Sequence, residues 1–188
     1  MTSRSYQAVV VGASAGAVEA LSIVLPALPP AFKLPVIVVV HIPPDKQSVI
    51  ANLFSAKCQL AVKEAEDKEP IVGDTIYFAP PDYHVLVEAS KTLSLSNDEP
   101  VLFSRPSIDV LFESAADVYG PELIGVVLTG ANQDGAKGTQ AVLEAGGVGL
   151  IQVPETAFAS AMPDAAIRAC PTARVLSLEA IADFLGNI

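Results

Sequence analysis

The sequence contains few of the residues on which several classes of protein depend. It has no tryptophan, two cysteines and two histidines among 188 residues. Cys58 and Cys170 are too few for a disulfide framework, and neither stands in a CxxC or Cys/His spacing typical of zinc sites. Because no cluster of carboxylates surrounds His41 or His84 in the sequence, a catalytic metal is not expected. We therefore predict a protein without a metal or other cofactor.

Basic residues and long apolar runs are also scarce. Lys and Arg number 11 against 21 Asp and Glu, so the formal net charge is −10. Binding to nucleic acid or to an anionic membrane needs clustered cations, which the sequence lacks. A spanning helix needs ~20 consecutive apolar residues, and no segment offers them. The apolar run 8–11 is also too short for the core of a signal peptide. We expect a soluble cytoplasmic protein with no nucleic-acid partner and no membrane insertion.

Apolar residues are abundant instead. They make up 51% of the chain, whereas charged residues make up 17%. A charged fraction well under the usual ~25% is typical of a well-buried globule rather than of a disordered chain. The length fits one domain of ~100–200 residues, and we find no internal repeat or low-complexity linker. We therefore predict a single domain over residues 1–188.

Short β-branched runs alternate with longer amphipathic stretches along the chain. This alternation predicts an α/β fold with a doubly wound, mostly parallel sheet, helices on both faces and an antiparallel hairpin at one edge. The antiparallel insertion is predicted at 75–78, 85–87 and 93–95, and the parallel strands at 8–11, 36–40, 123–128 and 148–152. Helices are predicted at 17–25, 47–57 with Asp45 as cap, 107–119 capped by Ser107, 136–145, 163–169 and 177–185 capped by Ser177.

Polar residues follow three of the predicted parallel strands. Ser14 lies in the segment GASAG after the first strand, His41 directly follows the second, and Asp134 lies in a Gly-rich segment after the strand that ends at Leu128. Ligands bind outside the carboxyl ends of such strands. A serine, a histidine and an aspartate at one sheet edge have the composition of a nucleophile, a general base and an orienting carboxylate.

The segment GASAG matches the nucleophile-elbow pattern G-x-S-x-G, in which small neighbours leave the serine hydroxyl accessible on a strand-turn-helix. Two other interpretations remain open, because a Gly-rich turn also packs a helix against a strand or binds a phosphate. The dinucleotide pattern G-x-G-x-x-G is not met, since the glycines fall at Gly12 and Gly16. A phosphate loop near residue 130 also fails, because Ala136 precedes Lys137 and Gly138 replaces the hydroxyl residue.

The histidines and Asp134 also have alternative interpretations. Asp134 could be a turn residue or a helix cap. The functional hypothesis makes it the acceptor of one His41 ring N–H, which leaves the other ring nitrogen for Ser14. For His84, structural packing is the main prediction and lining of a substrate groove is the alternative.

Six segments, in order, resemble the catalytic domain of the protein-glutamate methylesterases of bacterial chemotaxis, the CheB type. They are GASAG, VVVHIPP, TIYFAPPDYHVLV, RPSIDVLFESAA, LTGANQDGAKG and AMPDAA, and they extend from about Val9 to Ala166. The resemblance implies a hydrolase that removes methyl groups from γ-glutamyl methyl esters on chemoreceptor helices and in some members deamidates receptor glutamines. It implies that Ser14 is the nucleophile, His41 the general base and Asp134 the orienting acid.

The chain departs from the family beside these three positions. Ala15 stands where the family commonly has Thr, Val40 where it has Gln, and Ala131-Asn132 where it has Met-Gly. The backbone N–H groups of Ala15 and Ala131 could still line an oxyanion site, so the departures bear on substrate fit and rate. A noncatalytic or redirected protein-binding module on the same fold is the alternative function, and a nucleotide-binding domain is a weaker one.

The resemblance also implies partners. These are the methylated cytoplasmic helices of chemoreceptors, and a receiver domain or a methyltransferase in cis or in trans. Methylesterases of this type usually carry a phosphorylatable receiver domain ahead of the catalytic domain, and only about eight residues precede the first predicted strand here. We therefore expect no receiver domain, and either a stand-alone esterase or a catalytic domain cut from a longer protein.

Overall fold

The computed structural model describes residues 5–41 and 49–188. Within these residues nine strands and six α-helices follow one another along the chain. The strands are β1 (Ala8–Ala13), β2 (Val36–Val40), β3 (Ala61–Glu64), β4 (Thr75–Phe78), β5 (His84–Val87), β6 (Leu93–Ser96), β7 (Leu123–Val127), β8 (Val148–Gln152) and β9 (Arg174–Leu176). The helices are α1 (Ala17–Val24), α2 (Ile50–Ser55), α3 (Ile108–Tyr119), α4 (Ala136–Glu144), α5 (Ala161–Ala169) and α6 (Leu178–Gly186).

Seven of these strands form one parallel sheet in the order β3-β4-β2-β1-β7-β8-β9. The central strand β1 is buried along its whole length, as expected of a continuous apolar run. Its alternate side chains face opposite ways. Val9 and Val11 belong to the core that includes α1 and α6, whereas Ala8 and Val10 belong to the core that includes α3. Helices therefore cover both faces of the sheet, and the predicted fold class is confirmed.

The antiparallel part of the fold is smaller than predicted. β5 and β6 pair antiparallel as a separate two-stranded sheet. This sheet lies against α3, where the Val87 N–H donates to Ser114 Oγ at 3.0 Å. Thr75–Phe78 does not join it, because β4 runs parallel between β2 and β3. The prediction for this segment is wrong, since a run of four buried residues carries no signal for the direction of pairing.

The two edge strands of the parallel sheet lie in segments where no strand is predicted. β3 ends in Lys63 and Glu64, and β9 begins at the exposed Arg174. An edge strand has one neighbour instead of two, and charged residues commonly occupy such strands. These strands therefore lack the continuous apolar run by which buried strands are recognised.

The helices are short, and two of them begin at predicted caps. Ser107 Oγ accepts from the Val110 N–H at 3.4 Å, and Ser177 Oγ accepts from the Ala180 N–H at 3.1 Å. The predicted helix 47–57 corresponds to α2, and its proposed cap Asp45 lies outside the described residues. In the described part of the chain, no helix has both the length and the apolar character needed to cross a bilayer.

The helices α3 and α4 approach each other closely at a glycine. A Cβ placed on Gly138 would lie 2.5 Å from the Cβ of Phe112 and 3.1 Å from the Cα of Asp109. The Asp109 Cα is a backbone atom and the Phe112 Cβ is bonded directly to the backbone, so neither can move without shifting α3. The absence of a side chain at Gly138 therefore allows the first turn of α4 to lie against the first turns of α3.

We expect Gly138→Ala to lower the free energy of unfolding by about 2 kcal/mol, because the added methyl group must separate two packed helices. Urea denaturation followed by circular dichroism measures this loss. Gly186→Ala in α6 is the matched control, since the nearest described atom to its Cβ would be Pro29 Cδ at 3.9 Å. Alanine favours a helix over glycine, so the control should lose no stability. Equal losses in the two variants would contradict this account of the crossing.

Candidate active site

Three loops meet at the carboxyl edge of the central strands. β1 and β2 pair with Ala13 opposite Val40, and the His41 N–H donates to the Ala13 carbonyl at 3.3 Å. Ser14 and His41 are therefore the first residues beyond two adjacent strands. On the other side of β1, the Ser14 N–H donates to the carbonyl of Thr129, just beyond β7, at 2.9 Å. In the sheet, β2 lies on one side of β1 and β7 on the other, so the strand order reverses at β1. In doubly wound sheets, ligands bind at the carboxyl ends of the strands beside such a reversal.

Ser14 lies on a sharp turn between β1 and α1. Gly16, the residue before α1, has a φ of 81°, in the left-handed region that favours glycine. A Cβ on Gly16 would also lie 2.4 Å from the Cβ of Phe158. The Ser14 hydroxyl is half-buried and, within the described residues, has no hydrogen-bond partner. The turn has the strand-turn-helix arrangement that the pattern G-x-S-x-G predicts.

The structure brings His41 and Asp134 into direct contact. The His41 Nε2 lies 2.8 Å from Asp134 Oδ2, and the His41 side chain is 13% exposed whereas that of Asp134 is fully buried. Since a carboxylate only accepts, Nε2 carries the proton and Nδ1 is left as the acceptor available to Ser14. The side chains of Ser14 and His41, both in the described part of the chain, form no hydrogen bond with each other. Catalytic hydrogen bonds are often longer in the absence of substrate.

Within the part of the chain that the structure describes, four donors converge on the Asp134 carboxylate. Besides His41, Oδ1 accepts from the Ser107 hydroxyl at 3.0 Å and the Asp109 N–H at 2.9 Å, and Oδ2 accepts from the Ile108 N–H at 2.7 Å. These three groups form the amino terminus of α3, where the helix dipole favours an anion. Burial raises the pKa of Asp134, but the hydrogen bonds from the imidazole and from the two backbone N–H groups outweigh it and hold that pKa below its ordinary value. The carboxylate is therefore ionised and able to stabilise an imidazolium.

Asp109, in the first turn of α3, is a second buried carboxylate that the sequence analysis did not single out. It is 3% exposed, and its Oδ1 accepts from the N–H groups of Gly135 at 2.9 Å and Gly138 at 2.7 Å. Asp134 thus binds the amino terminus of α3, while Asp109 of α3 binds the amino terminus of α4. We call this arrangement the reciprocal cap. The only signal in the sequence is a carboxylate among apolar residues at the start of a helix.

Burial raises the pKa of Asp109 to about 6; the Gly138 N–H opposes this effect, and the charge of Asp134 adds to it. Between pH 4 and 6, roughly, the folded protein therefore binds a proton at Asp109 more tightly than the unfolded chain does. The contribution of Asp109 to the free energy of unfolding falls as the pH rises through this window. The lowered pKa of Asp134 has the opposite effect on stability, and this effect varies at lower pH. The contribution of Asp134 to the free energy of unfolding is complete above its unfolded pKa and is lost as the pH falls through its folded pKa.

We expect Asp109→Asn to remove this pH dependence. On lowering the pH from 7 to 5, the parent should gain about 1 kcal/mol of stability from Asp109 that the variant does not gain. The amide oxygen of Asn can still accept from Gly135 and Gly138, so the variant should fold. Urea denaturation measures the free energy of unfolding of both proteins at both pH values. The change with pH in the parent minus the change in the variant gives the effect of Asp109, because the effects of the other titrating groups cancel. Parallel pH dependences of parent and variant would contradict the expectation.

Ala15 and Ala131, the residues predicted to line an oxyanion site, lie on the two loops that meet at Ser14. Within residues 5–41 and 49–188, neither backbone N–H has a hydrogen-bond partner. Thr129 braces both loops: its hydroxyl donates to the Ala15 carbonyl at 2.8 Å, and its N–H donates to the buried Gln152 Oε1 at 2.9 Å. Free donors on fixed loops are what an oxyanion site requires.

His84 has a structural role, as predicted. It is 2% exposed, so it does not line a surface groove. Its Nδ1 accepts from the Ser107 N–H at 3.1 Å, and its Nε2 donates to the Glu99 carbonyl at 3.1 Å. It thereby supports Ser107, which donates to Asp134. Among the residues that the structure describes, no group of three His, Cys, Asp or Glu side chains is placed to hold a metal ion.

Comparison with known proteins gives a consistent result along the whole chain. Residues 9–185 match the family described as CheB methylesterase. A protein from Leptospira interrogans named putative protein-glutamate methylesterase/protein-glutamine glutaminase is 48% identical over 179 residues, which cover 95% of this chain and 93% of that protein. Protein-glutamate methylesterase/protein-glutamine glutaminase 1 of Carboxydothermus hydrogenoformans is 38% identical over 182 residues. The chain spans 54% of that longer relative.

A solved structure is similar over the same length. The crystal structure of the Thermotoga maritima CheB methylesterase catalytic domain matches with a TM-score of 0.93 at 33% sequence identity. The match covers 97% of this chain and 98% of that one. The order of strands, the hairpin and the loops at the carboxyl edge therefore belong to a fold already seen in a catalytic domain.

Proposed function

We propose that this chain, which belongs to the CheB methylesterase family, hydrolyses glutamyl γ-methyl esters of chemoreceptors with Ser14 as nucleophile, His41 as general base and Asp134 as orienting acid. The observation that supports this most directly is the hydrogen bond from His41 Nε2 to the buried Asp134. His41 and Ser14 directly follow the register pair Val40–Ala13 of two adjacent strands. This hydrogen bond fixes one tautomer of the imidazole, in which Nδ1 is unprotonated and can accept the proton of the Ser14 hydroxyl.

The reaction would proceed in two steps. Ser14 Oγ attacks the ester carbonyl and passes its proton to His41, whose imidazolium is stabilised by Asp134. The N–H groups of Ala15 and Ala131 stabilise the oxyanion. Methanol leaves with the proton from the imidazolium, and water, deprotonated by His41, then hydrolyses the glutamyl-enzyme to give a γ-carboxylate and free Ser14. A receptor glutamine would follow the same steps and release ammonia.

The test is release of methanol from membranes that contain a methylated chemoreceptor. The receptor is labelled with tritium in its ester methyl groups, and volatile label is collected at several concentrations of the purified chain. We expect a rate proportional to enzyme concentration. Binding to the membranes without methanol release at any concentration would refute the proposal and favour a noncatalytic protein-binding module. Ammonia release from a receptor with glutamine at the same positions measures the second activity.

A further inference from the structure

A tight turn near the site exposes two large apolar side chains. Val101 and Ser104 exchange two backbone hydrogen bonds, at 3.0 and 2.8 Å, and so enclose the two-residue turn Leu102-Phe103. Both turn residues have positive φ, 49° and 64°. Turns of this kind prefer Asn and Gly, because positive φ crowds a bulky side chain. The turn therefore has a strained backbone without the residues that would relieve the strain.

Phe103 lies fully in solvent, where its exposure is 103%. The turn is braced as well as strained. The Arg105 guanidinium donates to Asp82 Oδ1 at 2.6 and 3.0 Å, to the Asn97 carbonyl at 2.9 Å and to the Asp98 carbonyl at 3.0 Å. An aromatic side chain that is held in solvent by a rigid, strained turn contributes little to the core. These are the features of a binding anchor, since little freedom is lost when a partner covers it.

A groove connects this turn to the catalytic loop. It has a volume of about 460 Å³ and is lined by Leu102, Phe103, Asn132, Gln133, Ala165 and Arg168, among others. Asn132 and Gln133 directly precede Asp134, so one end of the groove is part of the loop that carries the catalytic carboxylate. A polypeptide in the groove would therefore contact the loop that carries Asp134.

The far wall of the groove is formed by α5. Ala161, Ala165 and Arg168 lie four and then three residues apart, so they share one face of the helix. The two alanines project little, which allows a second helix to approach closely. The wall and the anchor Phe103 together fit an α-helix better than an extended strand, because α5 offers no unpaired backbone edge.

The charge in the groove also indicates the partner. Arg168 is exposed, and within the described residues its guanidinium has no hydrogen bond or ion pair. Asp164 is the other charged side chain of the groove and forms no ion pair there with Arg168. In a chain of net charge −10, an unpaired cation in a groove complements a carboxylate of the partner.

We infer that this groove binds an α-helix of the protein substrate, with Phe103 between apolar side chains of that helix and Arg168 paired with one of its carboxylates. The inference rests on the proposed function, because the helix is the one that carries the glutamyl ester. Glutamates formed by earlier turnovers on the same helix would supply the carboxylates.

The test compares Phe103→Ala with the parent on two substrates, the methylated receptor in membranes and a blocked single-residue glutamyl γ-methyl ester. For the receptor we expect KM to rise about tenfold with kcat unchanged, since Phe103 contributes to binding and not to the chemical step. For the small ester both constants should be unchanged. Co-sedimentation with receptor membranes should show a similar loss of affinity, and this readout does not depend on turnover.

Two further variants complete the experiment, one as a control and one as a test of the ion pair. Val72→Ala removes another exposed apolar side chain, 52% exposed, from the loop before β4, which does not line the groove. It should change KM and kcat for neither substrate. Arg168→Gln should weaken receptor binding and make it less sensitive to salt, because one ion pair is lost.

The outcomes separate the two proposals. Equal receptor affinity of parent and Phe103→Ala would overturn the docking groove, and so would an equal loss on receptor and small ester. Absence of methanol release by the parent from both substrates would instead refute the proposed function. In that case the co-sedimentation result still decides whether the groove binds the receptor.

Discussion

Ser14→Ala is expected to lower methanol release from methylated receptor by at least about 10⁴-fold, because removal of a triad nucleophile has effects of this size or larger. The same change should leave the fold intact. The Ser14 hydroxyl is half-buried and bonds to no other described residue, so alanine leaves no orphaned partner. Initial rates on labelled receptor membranes and urea denaturation measure the two effects separately.

Ser160→Ala is the matched control for this variant. Ser160 is also half-buried, stands directly before a helix and has no side-chain cap hydrogen bond. Its replacement should change neither rate nor stability. A Ser14→Ala protein that hydrolyses receptor esters as fast as the parent would show that Ser14 is not the nucleophile. A Ser14→Ala protein that fails to fold would contradict the account of the turn.

Asp134→Asn is expected to lower the rate by about 10³ to 10⁴-fold and, unlike the change at Ser14, to destabilise the fold by about 2 kcal/mol. Every described group that forms a hydrogen bond with the Asp134 carboxylate is a donor. The amide NH₂ of asparagine would face some of these donors with hydrogens of its own. Either His41 loses its orientation or α3 loses its cap, and no rotation of the amide avoids both losses.

Asp117→Asn controls for the change of charge, because Asp117 is an exposed residue of the same helix α3. We expect it to behave as the parent in both measurements. Rates are taken at a temperature where calorimetry shows each variant to be folded. If Asp134→Asn kept parent-like stability while losing activity, the donors at the amino terminus of α3 would not depend on the carboxylate. If it kept the rate, Asp134 would not orient His41.

The buried part of the sheet and the position of Ser14 and His41 at the ends of adjacent strands could be predicted from the sequence. Strands β1 and β2 are unbroken β-branched runs, and parallel strands end at the same edge. A residue that directly follows each strand therefore lies beside its counterpart. The prediction that Asp134 reaches His41 follows from the same rule, applied to the loop after β7.

The rest of the site could not be predicted, because it depends on contacts between segments far apart in the chain. Three donors to Asp134 come from residues about 26 positions earlier. Nothing in the local pattern distinguishes Ser107 as an ordinary helix cap from Ser107 as a donor to the Asp134 carboxylate. Asp109 binds α4 only because Gly138 lets two helices approach closely. Pattern reasoning recognises faces and caps, but it does not recognise which helix a distant carboxylate will meet.

The reciprocal cap has a genetic consequence. A change at Ser14 leaves an intact protein, which would still occupy receptors and compete with active enzyme in the same cell. A change at Asp134 also loosens α3, and destabilised chains are removed by cellular proteases in proportion to their unfolded population. Inactive alleles at the nucleophile should therefore be dominant when overexpressed, whereas those at the carboxylate should be recessive and recognisable by a low protein level.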